Sequence, residues 1–267
     1  MMVKLCVLDL DGTLLHNGCL LDSDRESLLR IQKYGVKLMI ATGRNVQDAA
    51  EFVGKLRLKE YQGVVAYADG QYLYDFKDNI YREFEFLNYI EDVQRIYKLY
   101  TGKRPVYLYS KKKDYKLYRS QYSREYIRSF LKKIFFLSKV KILLAHKKYL
   151  VSDIDKIAFY ADEGELDVSK LKLNYDVIYT NDKQRYEVKR QNVNKARAVK
   201  EIAAKYHFTN DEIVVFGNDE NDICLFEEYK NSFCMDDASA FTRSKAQNLI
   251  SREDLVRVIY RLLEEAT

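Results

Sequence analysis

Asp9 and Asp11 stand two residues apart in "VLDLDGTLL", at the end of an apolar run. In an extended strand, residues two apart project to the same side. Both carboxyls are therefore expected where a first strand runs into its loop. A second acidic group follows the apolar stretch "EIVVF": "GNDEND" sets Asn218, Asp219, Glu220, Asn221 and Asp222 after Gly217. Acids crowded at a strand end repel one another unless something positive sits among them. Hard oxygen donors without histidine or thiolate favour Mg²⁺ over zinc or copper, and Mg²⁺ commonly brings a phosphate with it. The Thr42 hydroxyl, the Gly43 amide and the loop amides after Asp9 could receive that phosphate, with helix N-termini helping. Lys195 adds a cation. If Asn192 caps the helix read over 193–206, Lys195 falls in the first turn, against the helix dipole. Anionic partners such as Asp9 and a phosphoryl group would explain that placement.

Taken singly, each feature has a plain structural explanation. Asp-Gly is a common turn, and acids complement helix N-termini. An EF-hand is excluded because Thr13 and Leu14 stand where further ligands are required. Their joint order along the chain is what carries the chemistry.

The elements that must hold these residues follow a regular rhythm. "VKLCVLDL" (3–10), "VKLMIAT" (36–42) and "GVVAYADGQYLYD" (63–75) read as buried strands, the last turning at Asp69-Gly70. Helical patterns lie between them over 22–34 and after Gly43, the second with Asn45 as its N-cap. The alternation resumes at "YEVKR" from residue 186. It continues through a helix over 193–206, the strand "EIVVF", a helix over 220–229, the strand-like "NSFCM" and a closing helix "REDLVRVIYRLLEEA". This is the pattern of an α/β fold with a doubly wound parallel sheet. In such sheets ligands bind beyond the carboxyl ends of the strands, which is where Asp9, Asp11, Thr42 and 218–222 fall.

Residues 82–185 differ in character. They are rich in Tyr and Lys, with helical periodicity in 88–100 and 120–137 and strand-like pieces at 105–109, 141–145, 154–160 and 175–180. The predicted organisation is a core of 1–81 with 186–267 and an inserted α+β domain of 82–185. Basic residues outnumber acidic ones in the insertion, while the remainder is slightly acidic. Within 101–150 the only acids are Asp114 and Glu125, and Tyr107, Tyr109, Tyr115, Tyr118, Tyr122, Tyr126 and Tyr149 are interleaved with the bases. The plain explanation is a solvated basic face over a Tyr-rich core. Steering of an anionic substrate is another use for such charge.

Composition narrows the class. The chain has 267 residues and can bury a sizeable core. No apolar stretch approaches bilayer length, and "MMVKLCVLDLDG" is too short and too acidic for a signal peptide. Cys6, Cys19, Cys224 and Cys234, with His16, His146 and His207, show no zinc or disulfide spacing, which fits a reducing cytoplasm.

The order DxDGT (9–13), ATGR (41–44), a lysine opening a late helix (195) and G-[ND]-x-x-N-D (217–222) resembles the haloacid-dehalogenase superfamily of phosphatases. It looks most like the Cof-type branch, in which a large α/β cap is inserted between the second and third motifs. The matches cover 1–81 and 186–267, and "ENDICLF" is similar to the helix after that branch's fourth motif. The resemblance implies a Rossmannoid core and an enzyme that hydrolyses small phosphomonoesters through an aspartyl-phosphate. Sugar phosphates come first as substrates, with nucleotides and phosphorylated cofactors also admitted. It further implies that Asp9 is the nucleophile, that Asp11 is the acid and base, and that Thr42 and Lys195 hold the phosphoryl oxygens. Gly43, Arg44 and Asn221 are expected on the substrate side, and Asp9, Asp11, Asn218 and Asp222 around Mg²⁺. For its part in catalysis the Asp11 carboxyl is expected to be raised by Asp9 and by partial burial. The chain departs from the family at Asn218, which replaces the usual acid; either its amide oxygen or Asp219 would then meet the metal. Two alternatives remain: a phosphomutase using the same nucleophile, and a catalytically weak protein whose basic insertion binds nucleic acid or an acidic partner. On the main reading a small phosphorylated metabolite is the partner, with neither membrane nor nucleic acid expected and the oligomeric state open.

Overall fold

The structure is a computed structural model describing residues 3–110, 114–119, 126–128, 141–144, 149, 151, 153–162, 164–180 and 184–264. The chain divides into two compact units, Met1–Phe84 with Val193–Thr267, and Glu85–Asn192.

The first unit is built on an eight-stranded sheet. Its strands are β1 (Leu5–Leu8), β2 (Lys37–Ala41), β3 (Val64–Tyr67), β4 (Tyr72–Asp75) and β5 (Ile80–Glu83). The late segment of the chain contributes three more, counted after six in the second unit: β12 (Ile213–Gly217), β13 (Asn231–Met235) and β14 (Asn248–Ile250). Their order is β14-β13-β12-β1-β2-β3-β4-β5. The pairs from β14 to β3 are parallel, and β4 and β5 close one edge antiparallel. β1, β3 and β12 are buried along their whole length, which is why they read as unbroken apolar runs rather than alternating ones. The winding reverses between β1 and β12, where the register pairs Leu8 with Phe216. Crevices at such reversals are where open α/β sheets bind ligands. The core beside the sheet joins Val7, Ala41, Ala66 and Val215 to Ala198, Val199 and Ile202 from the helix Lys195–Tyr206.

Most of the predicted elements are present. The helix Asp22–Lys33 ends before Gly35, whose φ of +88° a residue with a Cβ would resist. Asn45 caps Val46–Lys55 by accepting from the Asp48 amide. The cap of the late helix differs from expectation: Asn194, not Asn192, accepts from the Arg197 amide, and Lys195 is the first helical residue. The closing helix spans Leu255–Glu264. β5 was not anticipated.

The second unit carries a six-stranded sheet ordered β10-β11-β9-β6-β7-β8. Its strands are β6 (Val106–Ser110), β7 (Tyr115–Tyr118), β8 (Lys141–Leu144), β9 (Ile154–Phe159), β10 (Tyr175–Thr180) and β11 (Arg185–Arg190). Here the structure corrects the reading that resumed the first domain at residue 186. "YEVKR" lies in β11, which pairs antiparallel with β10 and β9. Its Val188 joins Ile157, Phe159, Leu108 and Tyr175 in a separate core, so the return to the first unit comes at Val193. Of the helical pattern read over 120–137, residues 126–128 are helical and the rest lies outside the described residues, as do Lys111, Lys112, Lys113, Tyr122 and Glu125. No helix among the described residues is long and apolar enough to cross a membrane.

Candidate active site

β1 delivers Asp9 at its carboxyl end, with the Asp9 amide donating to the Phe216 carbonyl of β12 at 3.1 Å. β12 in turn delivers Gly217 and Asn218, and β2 delivers Thr42. Three adjacent strands thus place their first loop residues on one edge. Lys195 reaches them from its helix. Its Nζ lies 2.7 Å from Asp9 Oδ1 and 2.6 Å from Asp222 Oδ1. The side chains of Lys195 and Asp222 are fully buried, and that of Asp9 is 6% exposed.

One cation between two buried carboxylates leaves the group a negative charge in excess. Burial is the largest influence on Asp9 and pushes its carboxyl up to about 8; Lys195 opposes this, and Asp222 and Asp11 add to it. For Lys195, burial alone would lower the ammonium, but Asp222, Asp9 and, at longer range, Asp69 outweigh it and hold it above its ordinary value. The lysine placed against its helix dipole is therefore accounted for by charges it neutralises.

Asp222, expected near the metal, is bound on both sides. Its Oδ1 takes the lysine, and its Oδ2 accepts from the amides of Asn218 (2.9 Å) and Asp219 (3.1 Å). Both oxygens thus hold Lys195 and shape the turn that follows β12. The open choice between Asn218 and Asp219 also acquires a geometry. Asp219 caps the short 3₁₀ turn Glu220–Asp222, accepting from the Glu220 amide at 2.9 Å. Asn218 packs against Gly12 so closely that a Cβ there would meet its Nδ2 at 2.0 Å, and its Oδ1 accepts from Thr13 Oγ1 at 3.1 Å. Asn218, not Asp219, borders the loop after Asp9.

Asp11 is placed differently from expectation. It is exposed, at 57% of its side chain, and Arg44 grips both its oxygens: Nε to Oδ2 at 2.7 Å and Nη2 to Oδ1 at 2.6 Å. The burial expected to raise its carboxyl is absent. Arg44 is itself fixed, donating to the Asp48 carbonyl at 3.2 Å and lying over the Phe52 ring at 4.9 Å. The hydrogen bond to Asp11 holds its guanidinium above the ordinary arginine value. Thr42 is buried, and its Oγ1 accepts from the Arg44 amide at 3.1 Å, which leaves its O–H as the donor it can offer.

Two residues escaped the sequence reading. Arg252, just before the closing helix, donates to the carbonyls of Gly12 and Leu15, both at 2.6 Å, and so ties down the loop after Asp9. Nothing in its local sequence signals this. Asp69, read only as a turn, is buried and accepts from Asn221 Nδ2 at 2.7 Å. Its place at the carboxyl end of β3, next to β2, was a usable signal.

A small hard cation fits the donors assembled here. Asp9, the Asn218 amide oxygen and the Asp11 backbone are oxygen donors around one loop, and Asn221 Oδ1 is buried without a hydrogen-bond partner. Among the described residues no three His, Cys, Asp or Glu side chains converge as a ligand set. Oxygen donors of this kind, without histidine or thiolate, suit Mg²⁺, which takes one or two carboxylates and keeps waters, better than zinc.

Comparison with known proteins shows the family of the chain. Residues 6–260 match the family model for haloacid dehalogenase-like hydrolases. The 5-amino-6-(5-phospho-D-ribitylamino)uracil phosphatase YcsE of Bacillus subtilis (strain 168) is 22% identical over 249 residues, covering 91% of this chain and 88% of that protein. Among solved structures, the phosphatase BT1666 from Bacteroides thetaiotaomicron superposes with a TM-score of 0.76 at 19% identity, over 98% of this chain and 95% of that one. The subclass IIB sugar phosphatase BT4131 gives 0.70 at 15% identity, over 97% and 98%. With its family pattern matched along nearly its whole length, the chain belongs to the haloacid dehalogenase-like hydrolases, as an enzyme of their phosphatase class.

Proposed function

We propose that this chain is a Mg²⁺-dependent phosphatase of small phosphomonoesters, with a sugar phosphate or a similar metabolite as substrate. The observation that carries the reading is the buried lysine between Asp9 and Asp222, at the point where the sheet reverses its winding. A carboxylate nucleophile divides one displacement into two easier steps. Asp9 attacks phosphorus, forming an Asp9–phosphorus bond as the bond to the leaving oxygen breaks, and Asp11 gives that oxygen its proton. Water then attacks the aspartyl-phosphate while Asp11 takes the water's proton, and phosphate leaves. The Lys195 ammonium, the Thr42 hydroxyl and the Gly43 amide hold the phosphoryl oxygens, as loose in-line transfer requires. Asp9, the Asp11 carbonyl and Asn218 would hold Mg²⁺, which supplies charge neutralisation at the transferring group.

Asp11 cannot donate a proton while both its oxygens accept from Arg44. On this reading Arg44 turns from Asp11 to an anionic oxygen of the substrate, and substrate binding frees the acid. Selection among substrates is assigned to the unit 85–192 on the strength of the family alone. A cytoplasmic setting belongs to the same reading and accords with the free state of Cys6, Cys19, Cys224 and Cys234.

The test is phosphate release from a panel of phosphomonoesters, with Mg²⁺ or with EDTA, comparing wild type with Asp9→Asn. Turnover that needs Mg²⁺ and disappears in the variant is the expected result. Phosphoryl movement between positions of a sugar phosphate, without free phosphate, would replace the reading with a mutase. No transfer from any substrate would remove it.

A further inference from the structure

Three consecutive residues after β3 have left-handed backbones: Ala68 (φ +50°), Asp69 (φ +55°) and Gly70 (φ +92°). Only glycine adopts that conformation without penalty, and a strained stretch of this kind persists where its surroundings enforce it. Those surroundings are the elements of the candidate site. The Ala68 amide donates to the Arg44 carbonyl at 2.9 Å, and the Asp69 amide to the Thr42 carbonyl at 2.8 Å. Asp69 Oδ1 lies where a Cβ on Gly43 would meet it at 2.8 Å. Gly70 packs against the backbone of Asn194, the cap of the lysine helix, so tightly that a Cβ would come within 2.2 Å of that carbonyl. The Asp69 carboxylate then takes the Asn221 amide at 2.7 Å. Asp69 thus touches the threonine loop and the turn after β12, while its neighbour Gly70 packs on the cap of the Lys195 helix.

Resting on the phosphatase reading, we infer that Asp69 is a positioning residue that sets Asn221 and the Thr42–Gly43 loop relative to Lys195. Two features point to its charge as the reason for its presence. Asparagine tolerates the left-handed conformation at least as well and has the same shape, so backbone geometry alone does not call for an acid. An acceptor-only side chain, moreover, can receive only the NH₂ end of Asn221, which fixes the amide orientation and leaves Oδ1 as its other, unpaired face. An asparagine at 69 could offer either end and would leave that orientation unset.

Asp69→Asn is the informative variant, with Asp69→Gly as a second that relieves the backbone while removing the carboxylate. Both are expected to fold, with thermal midpoints near that of wild type. Turnover per folded molecule is expected to fall about 10–100-fold, the usual effect of losing a group that orients ligands, with a smaller change in KM. Asn221→Ala added to Asp69→Asn should cost little more, because the two act through one hydrogen bond. Orthovanadate binding, followed by calorimetry, is expected to weaken by a similar factor and does not depend on finding the natural substrate. Wild-type turnover or orthovanadate binding that Asp69→Asn leaves within about twofold would overturn the inference and leave the phosphatase reading standing. So would losses that track the unfolded fraction, or effects of the two substitutions that simply multiply. Absence of both turnover and orthovanadate binding in wild type would overturn the phosphatase reading, and this inference with it.

Discussion

Lys195→Met keeps the length and much of the volume of the side chain while removing the cation that lies between Asp9 and Asp222. The variant leaves two carboxylates, both buried, with the ammonium gone from 2.6–2.7 Å. Breaking a buried ion pair from one side costs about 3–5 kcal/mol. Escape from the charge requires one more proton, and protonating a carboxyl of ordinary pKa at pH 7 likewise costs about 4 kcal/mol. The expected midpoint loss is roughly 8–16 °C in the transition of the unit containing the sheet of β1. The sign with pH follows from proton counting. Burial already pushes Asp9 up to about 8, so wild type itself loses some stability as pH rises from the ordinary carboxylate range towards that value. The folded variant holds one proton more than folded wild type, so its deficit shrinks as pH falls, by about 2 kcal/mol between pH 7 and 5.5. Urea titrations of both proteins in EDTA at the two pH values measure this. A deficit under about 1 kcal/mol, or one that does not change with pH, would refute the account of Lys195 as the counter-charge of the site.

Two other outcomes are expected. Asn218→Asp adds a charge beside Gly12 and should tighten half-saturation by Mg²⁺ roughly tenfold in a metal-dependence assay; no change would point to Asp219 instead. Far from the strand ends that carry Asp9 and Thr42, Asp75 accepts from Lys205, Tyr206 Oη and the Lys77 amide, which outweigh burial and leave its carboxyl below the ordinary range. Asp75→Asn should therefore cost roughly 1–3 kcal/mol near neutral pH, and the gap should close below about pH 4, where wild type loses the advantage. Equal acid limbs in the two denaturation profiles would contradict this.

The strands that carry Asp9, Thr42 and Asn218 at their carboxyl ends were legible because fully buried parallel strands are unbroken apolar runs ending in polar loops, whereas the order of the strands was not. Lys195 was legible through its misfit with the helix dipole. What escaped depends on partners distant in sequence. The alternation of polar and apolar residues in "YEVKR" is that of any half-buried strand, and only its pairing with β9 and β10 assigns it to the second unit. The grip of Arg44 on Asp11 and the two-sided binding of Asp222 are choices among hydrogen-bond partners that spacing leaves open. Arg252 works through the carbonyls of Gly12 and Leu15, and backbone acceptors leave no mark on composition.

The pairing of β1 with β12 also has a consequence for how the molecule is made. β1 lies between β12 and β2, yet more than two hundred residues separate Leu5 from its partner Ile213. During synthesis β2 and β3 emerge soon after β1, while the far side of β1 stays an open apolar edge. The whole second unit, a continuous segment, emerges before β12 can cover it. Domains generally fold as units as they appear, and unpaired apolar edges are sites of aggregation. The nascent chain therefore carries Asp9 at the end of an unfinished edge strand for most of its translation. Closure of that edge by β12 and arrival of Lys195 come from the same late segment, so the buried charge cluster is completed as the edge is protected from aggregation.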